Sequence, residues 1–448
     1  MRLRDIGVEC YGIRQSFGLN RRMARVYKDS LIFNNRDFGL YFAGMTIVTF
    51  ASQIEAVTIG WQVYQLGRAT GSIKEAALLV GMVGLVQFVP MFALTLFAGS
   101  LADRMSRRAL VLGAIATETI GVIGLLLAAL QPHPSTPVIF AIAALFGASR
   151  AFFRPAAWAL MPMLVPTDQV ARAISLSSLG GEIAVITGPW IGGLLIAWAT
   201  PAAYAAVVVL YAISLVFMLS IRRNTTPERQ PGSQIALIRE GLVYVWQNKI
   251  IFGAISLDLF AVLLGGATAL LPAFASDILQ VGPTGFGLLR SGPAIGAALM
   301  ALALSRWPLK RQAGVRMFWA VAAFGLATVV FGLSKSLPLS IAALAVLGAA
   351  DMVSVYVRQT LMQIVTPDHM RGRVSSVSGL FISGSNELGE FESGVVSRFV
   401  GPVAAAVLGG IGTLIVTGIW AWKFPDLRKA DRLDGQDQPM ESEPRPAI

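Results

Sequence analysis

The stretch Gly99-Ser100-Leu101-Ala102-Asp103-Arg104-Met105-Ser106-Arg107-Arg108 decides how the chain is organised. It closes an apolar run that begins near residue 76, and a second apolar run begins at Ala109. Each run has the roughly 20 residues needed to cross a hydrocarbon core about 30 Å thick. Gly99 lets a neighbouring helix approach closely. Asp103 is suited to bond free backbone N–H groups at the next helix start, or to pair with an arginine. Arg104, Arg107 and Arg108 suit an anionic lipid surface. A glycine, an acid and three arginines together at a span end set this segment apart from an ordinary basic turn.

The same alternation of apolar run and polar turn recurs along all 448 residues, of which 55% are hydrophobic and 14% charged, with a mean hydropathy of +0.66. A soluble domain is less apolar and more charged. Spans are expected near 38–64, 76–101, 109–131, 137–164, 173–198 and 202–221, and again near 251–275, 285–305, 315–334, 337–364, 375–397 and 402–423. Inside hydrocarbon every backbone polar group must be satisfied within its own segment, so these spans are helices. The expected fold is an all-α membrane protein of twelve transmembrane helices.

Basic residues orient the spans. With the N-terminus on the cytoplasmic side, 28 of the 36 Lys and Arg residues fall on that side. Four (Arg68, Lys74, Lys335, Arg398) fall opposite, and four (Arg150, Arg154, Arg290, Arg358) lie inside spans. Both termini are therefore expected in the cytoplasm of a bacterial-type inner membrane. The net charge of +11 follows from basic loops lying on anionic lipid and calls for no nucleic-acid partner. The single cysteine, Cys10, precedes the first span, and His133 and His369 sit in loops. Disulfide, thiolate-metal and intramembrane histidine chemistry are thus excluded, and no metal site is expected. The basic start shows no apolar core with a cleavage site, so no secretory signal is expected.

Leu164-Val165-Pro166-Thr167-Asp168-Gln169-Val170-Ala171-Arg172 and Ile364-Val365-Thr366-Pro367-Asp368-His369-Met370-Arg371-Gly372-Arg373 lie 200 residues apart in equivalent places. This internal repeat divides the chain into two pseudo-symmetric bundles of six helices, an architecture that places a substrate site at the midplane. The expected divisions are a basic tail (1–36), a first bundle (37–221), a linker (222–250), a second bundle (251–424) and a disordered tail (425–448). Within the linker, Ile235, Ile238, Leu242, Val245 and Trp246 recur at helical spacing. This short helix either lies on the membrane surface or packs on the bundle ends.

The stretch around Asp103 resembles the signature loop of the major facilitator superfamily, Gly-x-Leu-Ala-Asp-Arg-x-Gly-Arg-Lys, with Ser106 for the second glycine and Arg108 for the lysine. The resemblance implies a conformational latch between the halves at Gly99, Asp103, Arg104, Arg107 and Arg108. Its second-half counterpart, beginning Ser305-Arg306-Trp307, lacks the acid, so any latch there is basic only. Gly188-Pro189-Trp190-Ile191-Gly192-Gly193 resembles the antiporter motif of exporters, although a kinked, closely packed helix reads equally well from the residues alone. The run from Ala151 to Pro166, with Phe152-Phe153-Arg154-Pro155-Ala156, is similar to the branch that includes enterobactin and macrolide-type drug exporters. That branch also holds lysophospholipid transporters. The resemblance covers roughly residues 37–424.

Charge within a span costs about 2.5–3.5 kcal/mol at a helix centre and marks function by default. Eight acids lie in spans: Glu55, Glu118, Glu182, Asp258, Asp351, Glu387, Glu390 and Glu392. In the superfamily, spans one, four, seven and ten line the central cavity, which selects Glu55, Arg150, Arg154, Asp258, Asp351 and Arg358. A carboxyl group that alternates between protonated and arginine-paired states couples proton entry to movement. Glu55 and Asp351 are the candidates for that role, with Arg150 as partner; fixed ion pairs bracing the halves are the alternative. Glu387, Glu390 and Glu392 crowd one stretch of span eleven, for substrate, proton or ion handling, or as a packing network with Asn386 and Arg290. Glu118 and Glu182 fall in spans that flank the cavity and read as structural.

The implied function is a secondary active transporter, working as a monomer, that exports a small amphiphilic molecule, siderophore-like or drug-like, by proton antiport. The proton gradient replaces any cofactor, and no phosphate-binding Gly-x-x-x-x-Gly-Lys-Ser/Thr motif occurs. A lysophospholipid transporter of the same fold is the alternative. An enzyme lacks a nucleophile with a base, and a receptor would move no solute.

Overall fold

The computed structural model describes residues 31, 35–102, 105–223, 225, 234–309 and 311–431. The first six spans are Arg36–Thr70, Ile73–Ala102, Arg107–Ala129, Thr136–Leu164, Val170–Trp198 and Thr200–Leu219. After the linker helix Gln234–Gln247, span seven begins as Lys249–Gly265. Spans eight to twelve are Gly282–Arg306, Ala313–Leu333, Leu337–Val365, Asp368–Val400 and Pro402–Lys423. The face at which span one begins is called proximal below, and the opposite face distal.

Local chemistry sets the span ends. Asn35 caps span one by accepting from the Phe38 N–H at 3.1 Å, and Asn248 caps span seven through the Ile250 and Ile251 N–H groups. Proline in the first turn starts spans four, six, eight, ten and twelve, where its missing N–H leaves no intrahelical bond unmade.

Eleven of the described helical segments are long and apolar enough to cross a membrane. Span eleven is not among them: its 33 residues include Glu387, Glu390 and Glu392. Its packing places it in the bundle nonetheless. A Cβ at Gly394 would lie 2.9 Å from the Cα of Gly81 in span two, and one at Gly389 would lie 2.8 Å from the Val262 carbonyl in span seven. No side chain larger than hydrogen fits either crossing.

Span seven does not run straight. It breaks at Gly266, passes through a 3-10 turn at Ala267–Leu270 and ends in a π-turn at Phe274–Ile278. Pro272 offers no N–H to the turn before it. Ser393 of span eleven donates to the exposed Gly266 carbonyl at 2.9 Å, so the broken backbone is satisfied by a neighbouring helix.

The linker helix packs on the bundle end. Tyr244 donates to the Val365 carbonyl at 3.1 Å, Glu240 pairs with Arg373, and Val245 is buried. The expected disorder from residue 425 is corrected over its first turns. Pro425–Lys429 forms a short helix whose Leu427 is wholly buried, and the Gly314 N–H donates to the Ala430 carbonyl at 2.9 Å. An apolar residue one turn past a span end finds the cleft at the start of span nine, and burying it orders the turn. Residues 432–448 lie outside the described part.

Candidate functional site: the central cavity and its ion pairs

Between the halves lies a cavity of about 500 Å3. Its charged lining comprises Glu182 of span five, Arg290 of span eight, Asp351 of span ten, and Glu387 and Glu390 of span eleven. The break in span seven supplies Gly265, Gly266 and Thr268 to the same wall, and Phe324, Leu344 and Leu347 supply apolar surface. A helix broken at the midplane thus exposes backbone only where it faces a cavity or finds a partner, as the membrane requires.

Arg150 sits beside this cavity on span four and draws its partners from both halves. It donates to Gln87 Oε1 of span two at 2.8 Å and lies 3.9 Å from Glu55 of span one and 3.9 Å from Glu387 of span eleven. Glu55 is fully buried and accepts from the Tyr211 hydroxyl at 2.7 Å. Glu118 of span three shares this electrostatic neighbourhood, and one of its carboxylate oxygens is buried with no hydrogen-bond donor. Arg154, one turn from Arg150, donates to Ser383 of span eleven at 3.3 Å. The structure therefore brings Glu55 to Arg150, and it adds Glu387, a partner from the far end of the sequence.

In the second half Asp258 and Arg358 form a buried pair between spans seven and ten. Asp351 lines the cavity and lies within electrostatic reach of both members of that pair, with no hydrogen bond or ion pair of its own among the described residues. Of the span-eleven acids, Glu390 lies 3.5 Å from Arg290, and Glu392 is not part of the cavity lining. Glu182, expected to flank the cavity, instead lines it. A signal was present in the sequence: Glu182 shares a helical stripe with Val185, Pro189 and Gly193, the stripe that faces span eight.

The Gly-Pro-x-x-Gly-Gly motif forms the contact between spans five and eight. A Cβ at Gly193 would lie 2.5 Å from the Pro283 carbonyl, and one at Gly287 would lie 2.4 Å from the Pro189 carbonyl. Gly188 and Gly192 face span one, where a Cβ would come within 2.6 Å of Gln53 Cβ and 3.2 Å of Ile54 Cα. Of the signature loop, Asp103 and Arg104 lie outside the described residues, and Gly99 falls within span two. The Arg107 N–H donates to the Thr225 carbonyl at 3.1 Å. The Arg108 guanidinium donates to the Met218 and Leu219 carbonyls at the end of span six, in the same half rather than across to the other.

Sequence reasoning missed the distal clasp. Arg68 at the end of span one pairs with Asp277 in the π-turn of span seven at 3.0 Å, and Tyr64 donates to the same carboxylate at 2.5 Å. Glu75 pairs with Arg398 at 2.5 Å, and Lys74 donates to the Phe399 carbonyl at 2.8 Å. Three of the four basic residues counted earlier only for topology thus join the halves at the distal end.

Known proteins match this arrangement. Over residues 33–446 the chain matches the family described as transmembrane secretion effector. The enterobactin exporters EntS of Shigella boydii and Escherichia coli are each 27% identical to it over 419 residues, covering 93% of this chain and 96% of theirs. Among solved structures, a POT family transporter in complex with 5-aminolevulinic acid has a TM-score of 0.69 at 11% identity, covering 88% of this chain and 97% of that one. A bacterial homologue of the human lysosomal transporter Spinster, inward-facing and unoccupied, has a TM-score of 0.65 at 15% identity, covering 90% and 99%. With its all-helical bundle and central cavity, the chain belongs to the transmembrane secretion effector family and is a multi-pass transporter of the major facilitator fold.

Proposed function

We propose that this transporter exports a small amphiphilic molecule, siderophore-like or drug-like, in exchange for protons, by alternating access in a cytoplasmic membrane with both termini inside. The observation that carries this reading is a midplane cavity lined by carboxylates from both halves and lying on the proximal side of a closed distal clasp. A cavity sealed at one end and shared between two bundles is what a rocking transporter needs. The relatives named as enterobactin exporters support the outward direction of transport.

In this account Glu55 and Asp351 carry the proton, and Arg150 responds to it. Glu55 deprotonated holds Arg150 to the first half; Glu55 neutral leaves Arg150 to Glu387 of the second. The ion-pair partner, and with it the tie between halves, thus depends on protonation. The protein works as a monomer and takes its energy from the proton gradient, without a bound cofactor.

Everted membrane vesicles containing the protein, acid inside, test the proposal. Siderophores, cationic dyes and antibiotics are added in turn while internal pH is followed. Export by antiport predicts proton loss on adding a substrate, abolished by Glu55→Gln or Asp351→Asn. Transport without proton movement, or wild-type behaviour of both variants, refutes the coupling.

A further inference from the structure

We propose that a groove beside the linker helix binds an anionic phospholipid, with one acyl chain along span seven and the phosphate at Arg239 and Lys249. The groove has a volume of about 520 Å3 and shares no residue with the lining of the central cavity. One stripe of span seven, Phe252, Ile255, Ser256, Leu259 and Phe260, forms its length. The linker helix contributes Leu242, Val245 and Trp246, and span eleven contributes Phe381. The Ser256 hydroxyl is already satisfied: it donates to the Phe252 carbonyl at 2.6 Å and accepts from the Trp420 indole at 2.9 Å. Gln247, the other polar side chain, is shared with a neighbouring recess. The linker wall stands ready before any ligand arrives. A Cβ at Gly241 would lie 2.8 Å from the Arg373 carbonyl, and Tyr244 donates to the Val365 carbonyl at 3.1 Å.

Length and charge name the occupant. From Phe252 to Phe260 the stripe runs about 12 Å along the helix axis. One leaflet of a bilayer offers about 15 Å of hydrocarbon. The groove begins near the proximal start of span seven at Lys249 and so follows most of one leaflet, the reach of an acyl chain. At its mouth the recess holding Arg239, Glu240, Tyr244 and Met370 shares Val243 and Gln247 with the groove, so a polar compartment continues into an apolar one. Arg239 and Lys249 are exposed and have no ion pair among the described residues. Glu240, the one acid of the linker helix, is held by Arg373. A net-negative headgroup gains from both free cations, whereas the quaternary ammonium of a zwitterionic one sets a positive charge beside them. Trp246, 71% exposed with its ring 4.9 Å from that of Phe252, places an amphipathic ring at headgroup level. A lipid seated here touches the linker, span seven and span eleven together, and so fastens the linker to the second bundle.

This binding does not rest on the direction or energy source of transport proposed above. The test places the full chain in phosphatidylcholine nanodiscs, one chain per disc. The discs are doped with phosphatidylglycerol or phosphatidylcholine carrying the same photoactivatable acyl chain, and labelled peptides are mapped. Residues 249–260 should be labelled at least about fivefold more by the phosphatidylglycerol. Residues 326–333 of span nine, an exposed apolar stretch, should show no preference. Arg239→Gln combined with Lys249→Gln, checked for a wild-type thermal transition, should abolish the preference, and Arg239→Lys with Lys249→Arg should keep it. Leu259→Trp, which fills the groove, should lower labelling of residues 249–260 by both lipids. The proposal is overturned by equal labelling of residues 249–260 by the two lipids, or by an equal preference over residues 326–333. It is also overturned if the double neutral variant keeps the preference or Leu259→Trp labels like wild type. Loss of label on adding the siderophores and dyes of the vesicle assay would give the groove to cargo instead and overturn it too. The comparison of the two lipids on the wild-type chain stands even if a variant fails to fold.

Discussion

Arg150 and Arg358 are both arginines of cavity-facing helices, and their surroundings give them different work. Arg358 is 2% exposed against Asp258, so the pair is sealed and fixed. Arg150 has three partners in three other spans, two of them loosely held ion pairs at 3.9 Å. Removing one partner of a sealed pair leaves a buried charge uncompensated. Arg358→Met is expected to cost about 3–5 kcal/mol of stability, read as a lower thermal transition in detergent, while the double variant with Asp258→Asn recovers most of the loss. Arg150→Lys keeps the charge and loses the planar fork that reaches several acceptors. It is expected to keep the thermal transition near wild type and to slow substrate-driven proton release by about tenfold. At this scale the sequence showed which residues are costly to bury, and hence Glu55, Asp351 and the arginines. It did not show that Arg150 reaches Glu387, because a contact between residues 237 positions apart is set by how spans four and eleven pack.

At the scale of elements, glycine decides where the halves meet. Gly193 against Gly287, and Gly81 against Gly394, bring helix backbones of opposite halves into direct contact. Gly287→Val would drive a branched side chain into the Pro189 carbonyl, so vesicle transport should fall at least about tenfold with the protein still inserted. Gly181→Ala in span five, where an added Cβ meets nothing within 4 Å, should change neither transport nor stability. The docked turn after span twelve makes a separate prediction. Leu427→Ala is expected to lower stability by about 2–5 kcal/mol in thermal unfolding, since Leu427 is wholly buried. Hydropathy made most of the spans legible to within a few residues, since a 20-residue apolar run has few alternatives in lipid, but span one runs on to Thr70 and the acid-rich span eleven begins at Asp368, earlier than its apolar stretch. The break at Gly266 and the docking of Leu427 were not legible. Each depends on a partner, Ser393 for the first and the start of span nine for the second, that only the folded bundle supplies.

For the whole molecule, the clasp holds the two bundles together at the distal face by charge pairs between chain segments far apart in sequence. Arg68 and Asp277 are 33% and 17% exposed, so water reaches the pair and its contribution is modest. A contact of that kind can open within a transport cycle, and Arg68→Ala should shift the molecule toward a distally open form. Alternating access, the central claim, is tested most directly by distances between spin labels, with Cys10 replaced. One pair is placed on the exposed distal residues Thr70 and Lys335, the other on the exposed proximal residues Thr167 and His369. The account predicts a single short distal distance in the resting protein. On adding Arg68→Ala, or substrate with a proton gradient, a longer distal population should appear together with a shorter proximal one. Distal and proximal distances that stay fixed, or that lengthen together, would contradict it.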